Sequence, residues 1–125
     1  MNEKINVKNA PAAIGPYSHA AILDRLIFTS GQIPINPQTG EIEGDTIGVQ
    51  THRVCQNIDA VLSELGSSLD MVMKTVCYLS DMNDFAEFNE IYALYFKTKP
   101  ARSCVAVKGL PKGALVEIEV VAEKL

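Results

Sequence analysis

A strand-like segment near the C-terminus places a cation beside a thiol. The residues after Pro100 alternate in the manner of a β-strand, which directs successive side chains to opposite faces. Arg102 and Cys104 therefore share a face with Ala106. The opposite face, which we predict to be core, carries Ser103, Val105 and Val107. A guanidinium on a rigid strand can grip a carboxylate through two parallel hydrogen bonds, although the alternation alone favours a surface arginine beside a small buried cysteine.

Two carboxylates on the last strand-like segment are candidates for acid–base chemistry. Glu117 and Glu119 share one face of the otherwise apolar run from Leu115 to Ala122. A partly buried carboxylate near an arginine can serve as a general base that activates water. Charges on an exposed strand face also discourage aggregation, and the spacing alone slightly favours this structural interpretation.

Four further residues could line a ligand site. Tyr17 follows a Gly-Pro pair, where a half-buried aromatic side chain at a strand end is the commoner role. Ser30 offers a hydroxyl or a backbone N–H group, or is an ordinary turn residue, and Gly31 permits close approach of the backbone to a ligand or another chain. Asn89 lies on the second predicted helix, away from the aromatic stripe of that helix. An asparagine at such a position is usually exposed to solvent and has no further role.

Nucleophilic catalysis by Cys104 is not favoured. A cysteine nucleophile needs a base, usually a histidine, to form the thiolate. His52 lies on the polar face of the first predicted helix, and His19, on the same strand face as Tyr17, lacks a third group to orient it. Cys55, Cys77 and Cys104 are odd in number and widely spaced, which predicts free thiols and no metal site.

The composition is that of one ordinary globular domain, which we predict to span residues 1–125. The chain is 47% hydrophobic and 21% charged, with a net charge of −4. Without a run of Lys or Arg, a nucleic-acid partner is not expected. The polar N-terminus has no signal-peptide core, and no apolar run approaches a membrane span. We therefore expect a cytoplasmic protein with no membrane partner.

The predicted order of elements is β-β-α-β-α-β-β. The predicted elements are strands Tyr17–Leu23 and Leu26–Ser30, a helix from Ile47 to Leu65 ended by Gly66, strand Met71–Ser80, a helix capped by Asp84 and Glu87, and strands Arg102–Val107 and Leu115–Ala122. One mixed sheet with both helices on one face is the natural α+β packing. The uncovered face would then carry apolar side chains, such as Val116, Ile118 and Val120 or their alternates, which predicts an oligomer.

Several motifs in the same order connect the chain with a known family. They are Ala10–Ser18, Thr29–Pro34, Asn83–Ala86, Asn89, Pro100–Val105, and Leu110–Lys112 followed by Val116–Glu119. Together they resemble the Rid/YjgF family of reactive-intermediate deaminases, most closely the RidA type, the 2-iminobutanoate/2-iminopropanoate deaminases. The resemblance covers essentially the whole chain.

The resemblance implies a fold, an assembly and a reaction. It implies a chorismate-mutase-like fold and a homotrimer with ligand clefts between subunits. The implied reaction is hydrolysis of a small 2-imino acid to a 2-keto acid and ammonia, without cofactor or metal. Arg102 would hold the carboxylate and Glu117 would activate water, whereas Glu119 would be structural. The implied cleft is lined by Tyr17, Ser30, Gly31, Asn89 and Cys104.

The chain departs from the family pattern in two places. His19 stands where many members have Gln, and the segment Phe96–Pro100 is shorter than in many members and lacks the Phe that often precedes the proline. This second departure bears on the cleft entrance. A non-catalytic 2-keto-acid-binding regulatory protein is the chief alternative function. An endoribonuclease or translation inhibitor is less favoured, because the sequence has no basic stripe, stacking aromatics or histidine pair.

Overall fold

The computed structural model describes residues 2–125, which form an α+β fold. The helices and strands of this part of the chain are β1 (Asn2–Ile5), β2 (Ala20–Leu23), β3 (Leu26–Thr29), α1 (Ile47–Glu64), β4 (Val72–Leu79), α2 (Phe85–Tyr95), β5 (Ala101–Ala106) and β6 (Val116–Glu123). Short 3₁₀ turns precede β4, α2 and β6. No helix within residues 2–125 is long and apolar enough to cross a membrane.

The strands form one mixed sheet in the order β1-β2-β3-β6-β4-β5. All neighbours are antiparallel except β4 and β5, which run parallel. Strand β4 therefore lies between β6 and β5, and β5 forms an edge of the sheet. The prediction of a mixed sheet with two helices on one face is confirmed.

The core lies between this sheet and the two helices. On α1 the buried stripe includes Val54 and Ile58, at the four-residue spacing that one helix face requires. On β6 every second side chain is buried beneath the helices, as shown by Val116, Ile118 and Val120. The side chains between them, Glu117 among them, therefore point to the opposite, helix-free face, called the open face below.

Both ends of α1 follow from local sequence. The Thr46 side chain accepts a hydrogen bond from the Val49 N–H at 3.3 Å and caps the N-terminus. At the other end Gly66 has φ +74°, and the Ser67 N–H donates to the Leu62 carbonyl at 2.9 Å. This left-handed turn satisfies carbonyl groups that the helix leaves unpaired, so the predicted end at Gly66 is confirmed.

The prediction for the start of α2 was wrong, and one strand was missed. Asp84 makes no capping hydrogen bond to α2, because the chain enters the helix through a 3₁₀ turn and Asp84 is already close to helical geometry, at φ −84° and ψ −3°. Instead Asp81 caps that turn by accepting from the Asn83 N–H at 2.9 Å. Strand β1 was not predicted, because its four residues are largely polar and do not alternate clearly.

The assignment of faces on β5 was also wrong. Cys104 pairs in register with the fully buried Cys77 of β4 and packs against the core, so the face with Arg102 and Cys104 looks toward the helices. Val105, predicted to be core, is 48% exposed on the open face. The alternation was correct, but β5 is an edge strand whose residues are exposed or half-buried on both faces, so apolar character does not identify its buried side.

The open face carries exposed apolar side chains in this single chain. They include Leu23, Leu26, Phe28 and Val105. On β6, Val116, Ile118 and Val120 lie beneath the helices, and it is their alternate Val121 that lies on the open face. An apolar surface spread across a sheet face is typical of a protein–protein interface.

Candidate functional site

Four of the predicted site residues meet at one cavity of about 390 Å³. They are Tyr17, Ser30, Gly31 and Glu117. The rest of the lining consists of Ile14, Thr29, Ile33, Pro111 and Glu119. The cavity thus combines a largely apolar wall with a few polar groups, the usual composition of a small-molecule site.

Glu117 is the half-buried carboxylate of this cavity. The alternation of β6 directs it to the open face, between the buried Val116 and Ile118. Burial raises the pKa of the Glu117 carboxyl above its usual range, and the negative charge of Glu119 raises it further. A carboxylate with a raised pKa is a stronger base once ionised, so Glu117 is suited to accept a proton from water.

Gly31 contacts Glu117 so closely that no side chain fits between them. A Cβ atom placed on Gly31 would overlap a Glu117 carboxylate oxygen and lie 2.8 Å from its Cδ. The next residue, Gln32, exchanges backbone hydrogen bonds of 2.8 and 3.1 Å with Ile118. These bonds hold the Gly31 backbone against β6, and the absence of a side chain at position 31 leaves the space that the Glu117 carboxylate occupies.

The hydroxyl groups of Ser30 and Tyr17 lie on the same cavity. Ser30 Oγ donates to the Ser18 carbonyl at 2.6 Å, which leaves its oxygen able to accept from a ligand. The Tyr17 hydroxyl accepts a long hydrogen bond of 3.4 Å from the Ile14 N–H and keeps its own proton for donation. Tyr17 is 44% exposed. Its ring is therefore only partly buried, and it lines the cavity instead of packing in the core.

Glu119 lies on the same wall and is held by Tyr78. The Tyr78 hydroxyl donates to Glu119 Oε1 at 2.8 Å. This hydrogen bond, with lesser contributions from burial and nearby charges, raises the pKa of Tyr78 to about 12. Tyr78 therefore stays protonated at neutral pH and keeps donating to Glu119, a contact that the sequence did not reveal because it joins two strands.

Arg102 and Asn89 form a second group. Arg102 Nη1 donates to Asn89 Oδ1 at 2.6 Å, and its guanidinium carbon lies 4.9 Å from the Tyr92 ring centroid and 5.5 Å from that of Phe85. One amide and two aromatic faces thus orient the arginine while leaving several N–H groups for a ligand. Asn89 was predicted from the family resemblance alone, and its contact with Arg102 gives it a defined place.

Neither histidine lies beside Cys104. His19 is buried, with Nδ1 accepting from the Val7 N–H at 2.7 Å and Nε2 2.6 Å from the Pro11 carbonyl. His52 Nδ1 lies 2.8 Å from the Tyr95 hydroxyl. Burial raises the pKa of the Cys104 thiol, and Arg102 only partly opposes this. Cys104 is thus a neutral, half-buried thiol beside Arg102.

The two groups of site residues lie on opposite faces of the sheet. Glu117 projects from the open face of β6, whereas Arg102 projects from the helix-facing side of β5, and β4 lies between the two strands. A single chain therefore does not bring Arg102 near Glu117. The sequence-based expectation of a carboxylate near an arginine is not met within one chain.

One supporting residue on α1 was missed by the sequence reasoning. Asn57 is fully buried, and its amide donates to the carbonyls of Ile33 and Ile35 at 3.2 and 3.0 Å. It thereby holds the loop that carries Gly31 and the Ile33 wall of the cavity. An asparagine within a buried helix stripe is the signal that could have identified it, because buried amides need partners.

Comparisons with known proteins place the chain among close relatives. The model of the family described as Endoribonuclease L-PSP matches residues 7–124. A candidate regulator, AldR of Lactococcus lactis, is 54% identical over 92% of each chain, and a RutC family protein of Pyrococcus horikoshii is 52% identical over 99% of each. Among solved structures, the Rid family protein YyfA of Yersinia pestis is 50% identical, with a TM-score of 0.94 over 98% of this chain and 99% of that one.

One solved relative contains a small molecule. TdcF of Escherichia coli, whose structure has bound serine, is 40% identical to this chain. Its TM-score is 0.92, and the match covers 98% of this chain and 99% of that one.

Proposed function

The chain belongs to the Rid/YjgF family, which the Endoribonuclease L-PSP model describes, and we propose that it hydrolyses small 2-imino acids such as 2-iminobutanoate and 2-iminopropanoate. The observation that carries this proposal is the half-buried Glu117 on a cavity whose other polar groups, Tyr17 and Ser30, can hold a small polar ligand. The products are a 2-keto acid and ammonia.

In the proposed reaction Glu117 takes a proton from a water molecule as the water oxygen attacks the imine carbon. A carbon–oxygen bond forms, and the electron pair of the C=N bond moves to nitrogen, which takes the proton from Glu117. Glu117 then accepts the proton of the new hydroxyl group and transfers it to the amino group as the carbon–nitrogen bond breaks, so that ammonia leaves and a carbonyl remains. General-base catalysis contributes about 10²- to 10⁴-fold, which suits a substrate as reactive as an imine. The step requires no cofactor or metal.

Arg102 is the proposed partner of the substrate carboxylate. Its guanidinium is held by Asn89 and two aromatic rings, so little rotamer freedom is lost when a carboxylate binds. Cys104 forms the floor beside it. The serine bound to TdcF is a small molecule with a carboxylate and an amino group, which supports a ligand of this size and chemistry for this chain.

A second copy of the chain completes the proposed site. Arg102 and Glu117 face away from each other in one chain, so a substrate that contacts both must lie between two copies. The exposed apolar side chains of the open face, Phe28 and Val105 among them, supply a surface for that contact. We propose a homotrimer with one cleft at each interface, because a closed ring satisfies every such surface.

The names of a relative and of the family support two alternative functions. The candidate regulator AldR supports a regulatory role for this chain, in which Arg102 would bind a 2-keto acid without turnover. The family description suggests RNA cleavage. Neither His19 nor His52 lines the cavity with Glu117, however, so this site has no histidine pair for cleaving a phosphodiester.

A coupled assay tests the deaminase proposal. Threonine dehydratase releases 2-iminobutanoate, and formation of 2-ketobutyrate is followed with and without this protein at neutral pH. We expect faster release with the wild-type chain and none of this acceleration with Arg102→Ala. If a stoichiometric amount of the wild-type protein gave no acceleration, the deaminase function would be contradicted, and the non-catalytic 2-keto-acid-binding function would remain. Measurable RNA binding at low salt would instead favour the ribonuclease.

A further inference from the structure

A second groove adjoins Arg102 on the helix side of β5. It encloses about 280 Å³, near the lower limit for small-molecule sites. Its lining consists of Tyr92, Ala93, Phe96, Lys99, Pro100 and Arg102. Two of these six side chains are cations and none is acidic, so the groove favours a ligand that carries negative charge.

The backbone at Lys99 is unusual for a lysine. Lys99 has φ +56°, a left-handed conformation that Gly or Asn adopts at lower cost. Its N–H donates to the Phe96 carbonyl at 3.3 Å and closes a tight turn immediately before Pro100. The turn thereby brings the lysine to the wall of the groove, at the place where the sequence departs from the family pattern.

The two cavities differ in the charge that they accept. The cavity with Glu117 is also lined by Glu119, so a second carboxylate on a substrate would be repelled there. In the groove, Arg102 is already oriented by Asn89 and the Tyr92 ring, and Lys99 adds a second positive charge on a mostly apolar wall. Of these two cavities, the groove is therefore the favourable place for the second carboxylate of a dicarboxylate substrate.

We propose that Lys99 and Arg102 form a two-cation site for 2-imino dicarboxylates, which extends the substrate class beyond 2-imino acids with short apolar side chains. This inference rests on the deaminase function proposed above. The carboxylate next to the imine binds Arg102, and the distal carboxylate binds Lys99. The small size of the groove indicates a four-carbon chain, as in 2-iminosuccinate.

The test compares hydrolysis of 2-iminosuccinate, released from aspartate by an aspartate oxidase, with that of 2-iminobutanoate from threonine dehydratase. Lys99→Asn removes the charge while retaining a residue that tolerates positive φ, and Lys99→Arg restores the charge. Lys97→Asn is the matched control, because Lys97 lies in the same turn but lines a different cavity, with Asp59 and Asp70.

We expect the wild-type chain to hydrolyse both imines. Lys99→Asn should slow 2-iminosuccinate hydrolysis about tenfold, the loss expected for one charge-assisted hydrogen bond, with 2-iminobutanoate hydrolysis unchanged. Lys99→Arg should recover most of the rate, and Lys97→Asn should behave as wild type. Hydrolysis of 2-iminobutanoate alone, or an equal effect of Lys99→Asn on both imines, would overturn this inference and leave the deaminase function intact. Hydrolysis of neither imine would overturn both.

Discussion

The chemistry proposed for Glu117 depends on two neighbours, Gly31 in contact with its carboxylate and Glu119 on the same face of β6. The Gly31 backbone contacts the carboxylate so closely that a Cβ atom there would overlap it, and the charge of Glu119 raises the pKa of the Glu117 carboxyl. Both effects can be measured by single substitutions, because each neighbour acts on the carboxylate without replacing it.

We expect Gly31→Ala to lower kcat/KM by about 100-fold or more, because the new methyl group displaces the Glu117 carboxylate and general-base catalysis is lost. The measurement is keto-acid release together with the free energy of unfolding from urea titration. Gly109→Ala is the matched control, since a Cβ there meets no atom within 4 Å. Wild-type activity in Gly31→Ala would show that the contact does not position the base.

The pH dependence of the reaction should change in Glu119→Gln. Glu117 acts as a base only when ionised, so kcat/KM rises with pH through its pKa. The Glu119 charge raises that pKa, and removing the charge should shift the acid limb of the profile to lower pH. Pre-steady-state or steady-state rates measured across the acid range would detect this shift.

Tyr78→Phe separates the charge of Glu119 from its hydrogen bond. This variant removes the 2.8 Å bond and leaves the carboxylate in place. The acid limb should therefore stay at or above its wild-type position. If Tyr78→Phe moved the limb downward as Glu119→Gln does, the hydrogen-bonded geometry rather than the charge would be the cause.

At the scale of elements, the regular helix was the most predictable feature and the edges of the sheet the least. The apolar stripe of α1 and the glycine after it are local signals, and both ends agree with the structure. The buried face of β5 and the capping of α2 depend on what packs nearby, so the local sequence did not reveal them. The loop before β2 is held from its own end, because the buried His19 side chain folds back onto Val7 and Pro11.

His19 should stabilise the fold through the backbone it holds. In His19→Leu, the buried Val7 N–H and Pro11 carbonyl lose their partners, which should reduce the free energy of unfolding by about 1–3 kcal/mol. His19→Gln keeps one acceptor and one donor and should recover part of that loss. Urea titration of both variants measures the difference. Equal stability of His19→Leu and wild type would show that these bonds contribute nothing net.

At the scale of the whole molecule, the sequence indicated which residues could form a site but not how the fold arranges them. Tyr17, Ser30, Gly31 and Glu117 meet on one cavity, and Arg102 meets Asn89, as a common cleft would require. The separation of these two groups by the sheet follows from the order of β6, β4 and β5, which pairs strands distant in sequence. We therefore expect each active site to use Arg102 from one copy and Glu117 from another.

The most direct measurement mixes two variants that are each inactive. Arg102→Ala and Glu117→Gln chains are unfolded together in equal amounts, refolded, and assayed for 2-ketobutyrate release from threonine dehydratase. If every cleft combines two copies in a closed ring, about a quarter of the clefts receive both intact residues, and about a quarter of the wild-type activity should return. Each variant refolded alone should stay inactive. A mixture that remains inactive, although size measurements show mixed oligomers, would contradict a site shared between chains.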